Sequence, residues 1–280
     1  MDETAYVTAK DGVRLVYDDT GGSGPVLLCL AGLTRNREDF DFVLRDFRDQ
    51  ARIIRLDFRG RGGSDHADPA TYTPLQEAED VVTLLDHLGL AQAAILGTSR
   101  GGIVAMIMGL TAHARLSGVC LNDIGPEIMP EGLSAIMGYI GRRPKFRSLV
   151  EAAAAMPDLH PSFRNVPSET WAAHVARLWR EDDAGMHLRY DPRLREAVAP
   201  AFAPDAKPVD LWPCFDALAT LPLALIRGAG SNILSRETAD KMRARRPDMI
   251  CAELPDRGHV PFLDEPASKA VISQFLKEIA

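Results

Sequence analysis

The sequence has no apolar run of the roughly 18 residues that a membrane-spanning helix needs, and no long basic segment. The first absence speaks against a membrane protein. The second, with a formal net charge of −7, speaks against general nucleic-acid binding. Cysteine is sparse: Cys29, Cys120, Cys214 and Cys251 are scattered, with neither CxxC nor Cys/His ligand spacing. No disulfide framework and no metal site is expected from them; they read as buried thiols in a reducing compartment. HExxH is missing. GGSG at 21–24 precedes a strand instead of following one, and no G-x-G-x-x-G opens a helix, so a dinucleotide site is not expected. GTSRGG lacks the Gly-Lys-Ser/Thr ending of a phosphate-binding loop. No cofactor is therefore expected. The start MDETAYVTAKDG is acidic and polar and does not read as a signal peptide, which makes the cytoplasm the expected location.

What is present is ordinary for a folded protein: 280 residues, 46% hydrophobic and 25% charged, enough for one large α/β domain with an insertion. AYVTA, the turn Lys10-Asp11-Gly12 and VRLVYDD read as a hairpin, and PVLLCLAG as a strand buried on both faces. A helix near Arg37–Phe47, the strand ARIIRLD, the helix LQEAEDVVTLLDHLG, the strand AQAAILGTS, the helix RGGIVAMIMGLTA and the strand ARLSGVCLND follow. Strands alternating with helices imply a mostly parallel, doubly wound sheet. The rhythm breaks at Pro126 and resumes after Trp212 with LPLALIRG, a helix at Arg236–Arg245, the strand MICAELP and a last helix in EPASKAVISQFLKEI. The expected division is a core of residues 1–125 and 213–280, with 126–212 as a helical cap inserted after the sixth strand.

GTSRGG, residues 97–102, follows a strand and opens a helix. A serine at so sharp a turn exposes its hydroxyl above the strand ends, and its crowded backbone needs small neighbours. The helix behind it points N-terminal amides at the same spot. Four stretches in order resemble the α/β-hydrolase superfamily over nearly the whole chain: LAGLTRN its oxyanion loop, DFRGRGGSD the loop after the fourth strand, GTSRGG the nucleophile elbow and DRGHVPFLDEP the late histidine loop. The resemblance implies an α/β-hydrolase fold and a capped serine hydrolase. Ser99 would attack an acyl carbon, His259 would act as base, and the N–H groups of Leu33 and Arg100 would hold the oxyanion. The other histidines, His66, His87, His113, His160, His174 and His187, read as surface or core residues.

The acid position departs from the resemblance. Relatives carry Asp after the strand corresponding to LPLALIRG, whereas GAGSNILS offers Asn232. Asparagine brings no charge and can select the wrong imidazole tautomer. Three readings stay open: Asp123, closing SGVCLND, is the alternative acid; Asn232 is an engineered change; or the protein is a weak enzyme or a ligand-binding relative. Asp123 also suits a turn into the cap, and Asp264 is expected to cap the last helix.

Of the apolar residues in the cap, Met129, Met137, Tyr139 and Trp179 are candidates for substrate binding, though most such residues pack a cap onto a sheet. The basic stretch RRPKFR reads as a solvated face. The leading expectation is hydrolysis of a small, largely apolar carboxylic ester or lactone. Hydrolytic C–C cleavage of a vinylogous diketone and non-hydrolytic ligand binding are the alternatives, and the oligomeric state is left open.

Overall fold

Alternating apolar residues make the first two strands, β1 (Glu3–Thr8) and β2 (Arg14–Asp19), which pair antiparallel across the Lys10-Asp11-Gly12 turn. Gly12, at φ 89°, supplies the left-handed backbone the turn needs. The computed structural model describes residues 3–202 and 209–280; residues 203–208 of the expected cap lie outside the described residues.

The chain continues through β3 (Val26–Leu30), α1 (Asp41–Phe47), β4 (Arg52–Leu56), α2 (Pro74–His87), β5 (Ala93–Thr98), α3 (Arg100–Thr111) and β6 (Leu116–Asn122). Next come α4 (Pro130–Tyr139), α5 (Leu149–Leu159), α6 (Ser168–Leu178), β7 (Trp179–Asp182), β8 (Gly185–Leu188), α7 (Leu194–Val198) and α8 (Trp212–Asp216). The chain closes with β9 (Leu223–Gly228), α9 (Arg236–Arg245), β10 (Ile250–Leu254) and α10 (Pro266–Glu278). The main sheet has eight strands in the order β1-β2-β4-β3-β5-β6-β9-β10, antiparallel at β1, β2 and β4 and parallel from β4 onward. This is the α/β-hydrolase fold.

Period-2 alternation explains why the central strands are apolar throughout. In β3, Leu28 and Leu30 join Val81 and Leu84 of α2 and Val104 of α3 on one face, while Leu27 and Cys29 join Phe47 of α1 and Phe275 of α10 on the other. Cys29, Cys120 and Cys214 are buried free thiols and Cys251 is half-buried. Burial pushes the Cys29 thiol up to about 12, too high to supply a thiolate at neutral pH. Among the described residues no helix is long and apolar enough to cross a membrane.

Two local expectations are corrected. The segment between β6 and β9 is not helical throughout, because β7 and β8 form an antiparallel hairpin. Its turn is made by Asp182, whose carboxylate accepts the Ala184 N–H at 2.9 Å, and by Gly185 at φ 102°. The helical segment expected around Arg37–Phe47 does form, as a 3₁₀ turn over Arg37–Phe40, capped by the Asn36 side chain, followed by α1. Glu265, not Asp264, occupies the cap position of α10, and its carboxylate accepts from the Phe262 and Leu263 amides.

The parallel arrangement brings the carboxyl ends of β5, β6 and β10 to one edge, where open α/β sheets place their ligands. α3 can start there only because it lies directly on β3: a Cβ at Gly101 would overlap the Leu30 carbonyl oxygen. Gly101→Ala is expected to lower unfolding stability by at least about 2 kcal/mol through overpacking. An unchanged urea midpoint would contradict this close approach.

Candidate active site

Ser99 lies between β5 and α3 at φ 49° and ψ −110°, a conformation that non-glycine residues rarely adopt. Small residues make it possible, since a Cβ at Gly97 would lie 2.6 Å from the Gly101 and Gly102 backbone. The Ser99 N–H donates to the Asn122 carbonyl at 3.0 Å, tying the turn to the end of β6.

The next residue, Asp123, is also at positive φ, 55°, and is fully buried. Its carboxylate points along the sheet edge. Oδ2 lies 2.7 Å from His259 Nδ1 and accepts the Ser231 hydroxyl at 2.6 Å, while Oδ1 accepts the Gly228 N–H at 2.8 Å. His259 Nε2 lies 2.9 Å from Ser99 Oγ. Hydroxyl, imidazole and buried carboxylate therefore form one continuous hydrogen-bonded chain. Asn122 steadies the histidine loop by donating its side-chain amide to the Pro261 carbonyl and to Thr98, each at 3.1 Å.

Asn232 does not join this chain. It is exposed, and its backbone carbonyl faces Gly132 of α4. The loop GAGSNILS instead contributes Ser231, whose oxygen accepts the Ile233 and Leu234 amides at 3.2 and 3.1 Å and so turns its proton toward Asp123. Ser231 and Gly228 are the partners that sequence reasoning missed. Asn232 drew attention because it occupies the usual acid position, whereas the contact that matters crosses from β6 to the β9 loop.

Of the two expected oxyanion donors, Arg100 opens α3, so its N–H is among those a helix leaves unpaired. The Leu33 N–H has no backbone acceptor among the described residues. A methyl group built on Gly32 would sit 3.8 Å from Ser99 Cβ, which sets this loop beside the serine.

The side chains behind the two amides are linked. Arg61, fully buried, donates from Nε to the Leu33 carbonyl at 2.9 Å. Arg100 donates from Nε to Glu77 at 2.6 Å and from Nη2 to the Tyr72 carbonyl at 2.9 Å. Glu77, fully buried, receives both guanidiniums; the Arg61 contact, Nη2 to Oε1 at 2.8 Å, is a close ion pair without hydrogen-bond alignment. Burial pushes Glu77 upward, but Arg100 and Arg61 prevail and hold it below the ordinary carboxylate range.

The expected substrate residues divide. Tyr139, at the end of α4, is an exposed side chain, 50% accessible. Met137 packs in the same apolar cluster as Leu33, Tyr72 and Ile140. Met129 sits at the start of α4, with its N–H on the Ile233 carbonyl. Trp179 packs inside the insertion, its ring 5.8 Å from Phe146. His160 and His174, given no role from sequence, lie in an aromatic cluster with Trp171 and with Phe262 of the histidine loop.

Replacing Glu77 with Gln leaves two buried guanidiniums facing one neutral amide. Breaking a buried pair in this way is expected to lower stability by about 3–5 kcal/mol, measurable by denaturant unfolding.

The comparisons with known proteins agree with the fold. The description "Alpha/beta hydrolase family" matches residues 27–270. A 3-hydroxybutyrate-oligomer hydrolase of Cupriavidus necator is 33% identical, covering 94% of this chain and 92% of that protein. The crystal structure of an alpha/beta hydrolase from Novosphingobium aromaticivorans superposes with a TM-score of 0.90 at 39% identity, covering 99% of this chain and 98% of that one. The structure of E-2-(acetamidomethylene)succinate hydrolase shares the fold, with a TM-score of 0.83 at 22% identity over 99% of this chain and 100% of that one. The chain belongs to the alpha/beta hydrolase family.

Proposed function

We propose that this protein is a serine hydrolase that opens a small carboxylic ester through an acyl-enzyme on Ser99. The observation that carries the reading is the unbroken chain of contacts, Ser99 Oγ to His259 Nε2 at 2.9 Å and His259 Nδ1 to Asp123 at 2.7 Å. In this reading His259 takes the serine proton as Oγ attacks the ester carbonyl, and it returns a proton to the departing alcohol. Asp123 keeps the proton of the imidazole on Nδ1, so that Nε2 is free to accept, and stabilises the imidazolium once it forms. The Leu33 and Arg100 amides receive the negative charge of the tetrahedral intermediate. Water then repeats the sequence on the acyl-enzyme.

The segment from 126 to 212 acts as a cap that limits water and selects the substrate. Met137, packed with Leu33, lines its inner side, while Trp179 serves the packing of the cap itself. Support for an ester over other bonds comes from the relative named for a 3-hydroxybutyrate oligomer, whose units are joined by ester bonds.

With p-nitrophenyl butyrate as the probe, Ser99→Ala is expected to remove turnover to background. Asp123→Asn is expected to lower kcat by about 10⁴, the size of loss seen when an acid of this kind becomes an amide. Asn232→Ala is expected to stay within about threefold of the parent, as surface substitutions away from a site do. A large gain from Asn232→Asp, with Asp123→Asn unaffected, would return the acid role to the β9 loop.

A further inference from the structure

We propose that Arg35, with the imidazoles of His160 and His174, forms a carboxylate-binding subsite next to Ser99, so that the preferred substrate is an ester bearing its own carboxylate. This rests on the reading of Ser99 as the group that opens the ester.

Position comes first. The Arg35 N–H donates to the Gly32 carbonyl at 3.1 Å, closing a turn that folds the arginine stem back over Gly32. A methyl group on Gly32 would lie 3.1 Å from Arg35 Cγ and 3.8 Å from Ser99 Cβ, so stem and serine flank the same point. From there the guanidinium runs under the insertion, where Nη2 comes within 3.4 Å of His174 Nδ1 on α6. The Arg35 side chain is only 14% exposed, which takes it out of bulk water.

The donor count then leaves an opening. Asp39 occupies one edge of the guanidinium, through Nε at 2.6 Å and through Nη2. The other Nη2 hydrogen faces His174, so Nη1, which has no partner among the described residues, is the nitrogen left to donate to another carboxylate. Neither ring nitrogen of His160 is paired among the described residues, so this imidazole can donate to the same ligand.

Burial lowers the pKa of His160 and of His174, and in both the Arg35 charge lowers it further. The cationic field of Arg35 therefore reaches both imidazoles. Arg177, which adds to the effect at His174, pairs with Asp41 at 3.1 Å. The rings of Trp171 and Phe262 pack against His174. A desolvated carboxylate on Arg35 would thus be fixed by charge-assisted hydrogen bonds while its ester lies against Ser99. A dimer of a short hydroxy acid has this form, with an ester bond and a free carboxylate a few bonds away.

The test compares the linear dimer of 3-hydroxybutyrate as its free acid with the same dimer as its terminal amide. The parent protein is expected to favour the acid by about ten- to hundredfold in kcat/KM, chiefly through KM, as one charge-assisted pair provides. In Arg35→Gln that ratio should fall toward one, whatever the absolute rate. Arg35→Gln with Asp39→Asn, which removes both charges together, should give the same ratio if the single change disturbs folding. Calorimetric binding of acid and amide to Ser99→Ala reads the subsite without turnover. A preference for the acid there that vanishes with Arg35→Gln supports the subsite even if p-nitrophenyl butyrate is not cleaved, an outcome that would sink only the hydrolase reading. Equal binding and equal kcat/KM for acid and amide in the parent, or a preference that survives Arg35→Gln, would overturn the proposal.

Discussion

The hydrogen bond between a fully buried carboxylate and one imidazole, Asp123 Oδ2 to His259 Nδ1, is the contact around which the rest of the edge is arranged. A buried charge is tolerated only where donors surround it. Asp123 has three: the imidazole, the Ser231 hydroxyl and the Gly228 amide. Its backbone is held at positive φ, an unfavourable state for aspartate that persists because the Asp123 N–H is bonded to the Ile226 carbonyl at 2.8 Å. Strain at Asp123 and strain at Ser99 thus lie on neighbouring strand ends, and the Ser99 amide is bonded to the residue just before Asp123. Neither conformation stands alone.

The other half of the edge depends on a second buried carboxylate used in a different way. Glu77 does not face the imidazole. It joins two guanidiniums, one on the Leu33 carbonyl and the other on the residue after Ser99. Two loops from separate parts of the chain are thereby referred to a single point on α2. In the proposed serine hydrolase these loops carry the oxyanion donors, which must be aimed in advance at where charge develops, and side-chain anchoring of this kind would keep them aimed. The hydrogen bonds of Arg61 and Arg100 to backbone carbonyls also answer the desolvation of their charges.

Much of the fold was legible because its signals are local. Apolar runs at strand length, helical spacing in LQEAEDVVTLLDHLG and the glycines of GTSRGG each act within a dozen residues, and the elements formed where expected. The choice between Asp123 and Asn232 was not legible in the same way. Asp123 and His259 are 136 residues apart, and only the register of β6 against β9 decides which loop residue faces the ring. Ser231 carried no signal of its own, since a serine in a turn is common. His160 and His174 were hidden for the same reason: a histidine inside an apolar helical pattern reads as packing until its neighbours across the fold are known.

These neighbours explain how a polar site is kept inside an apolar insertion. The 3₁₀ turn after Arg35 is the floor on which α6 and the segment after β8 rest, through Asn36 on the Arg177 carbonyl at 2.8 Å and Glu38 on Arg189. Asp39 and Asp41 belong to the same stretch and pair with Arg35 and Arg177. The loop that carries the Leu33 amide is therefore continuous with the one that seats the insertion. A shift of α6 would be felt at Arg35, and through the turn that binds Arg35 to Gly32 it would reach the residue next to Leu33. Packing of the insertion and placement of the Leu33 amide are then one structural problem, which the short segment from Gly32 to Asp41 solves for both.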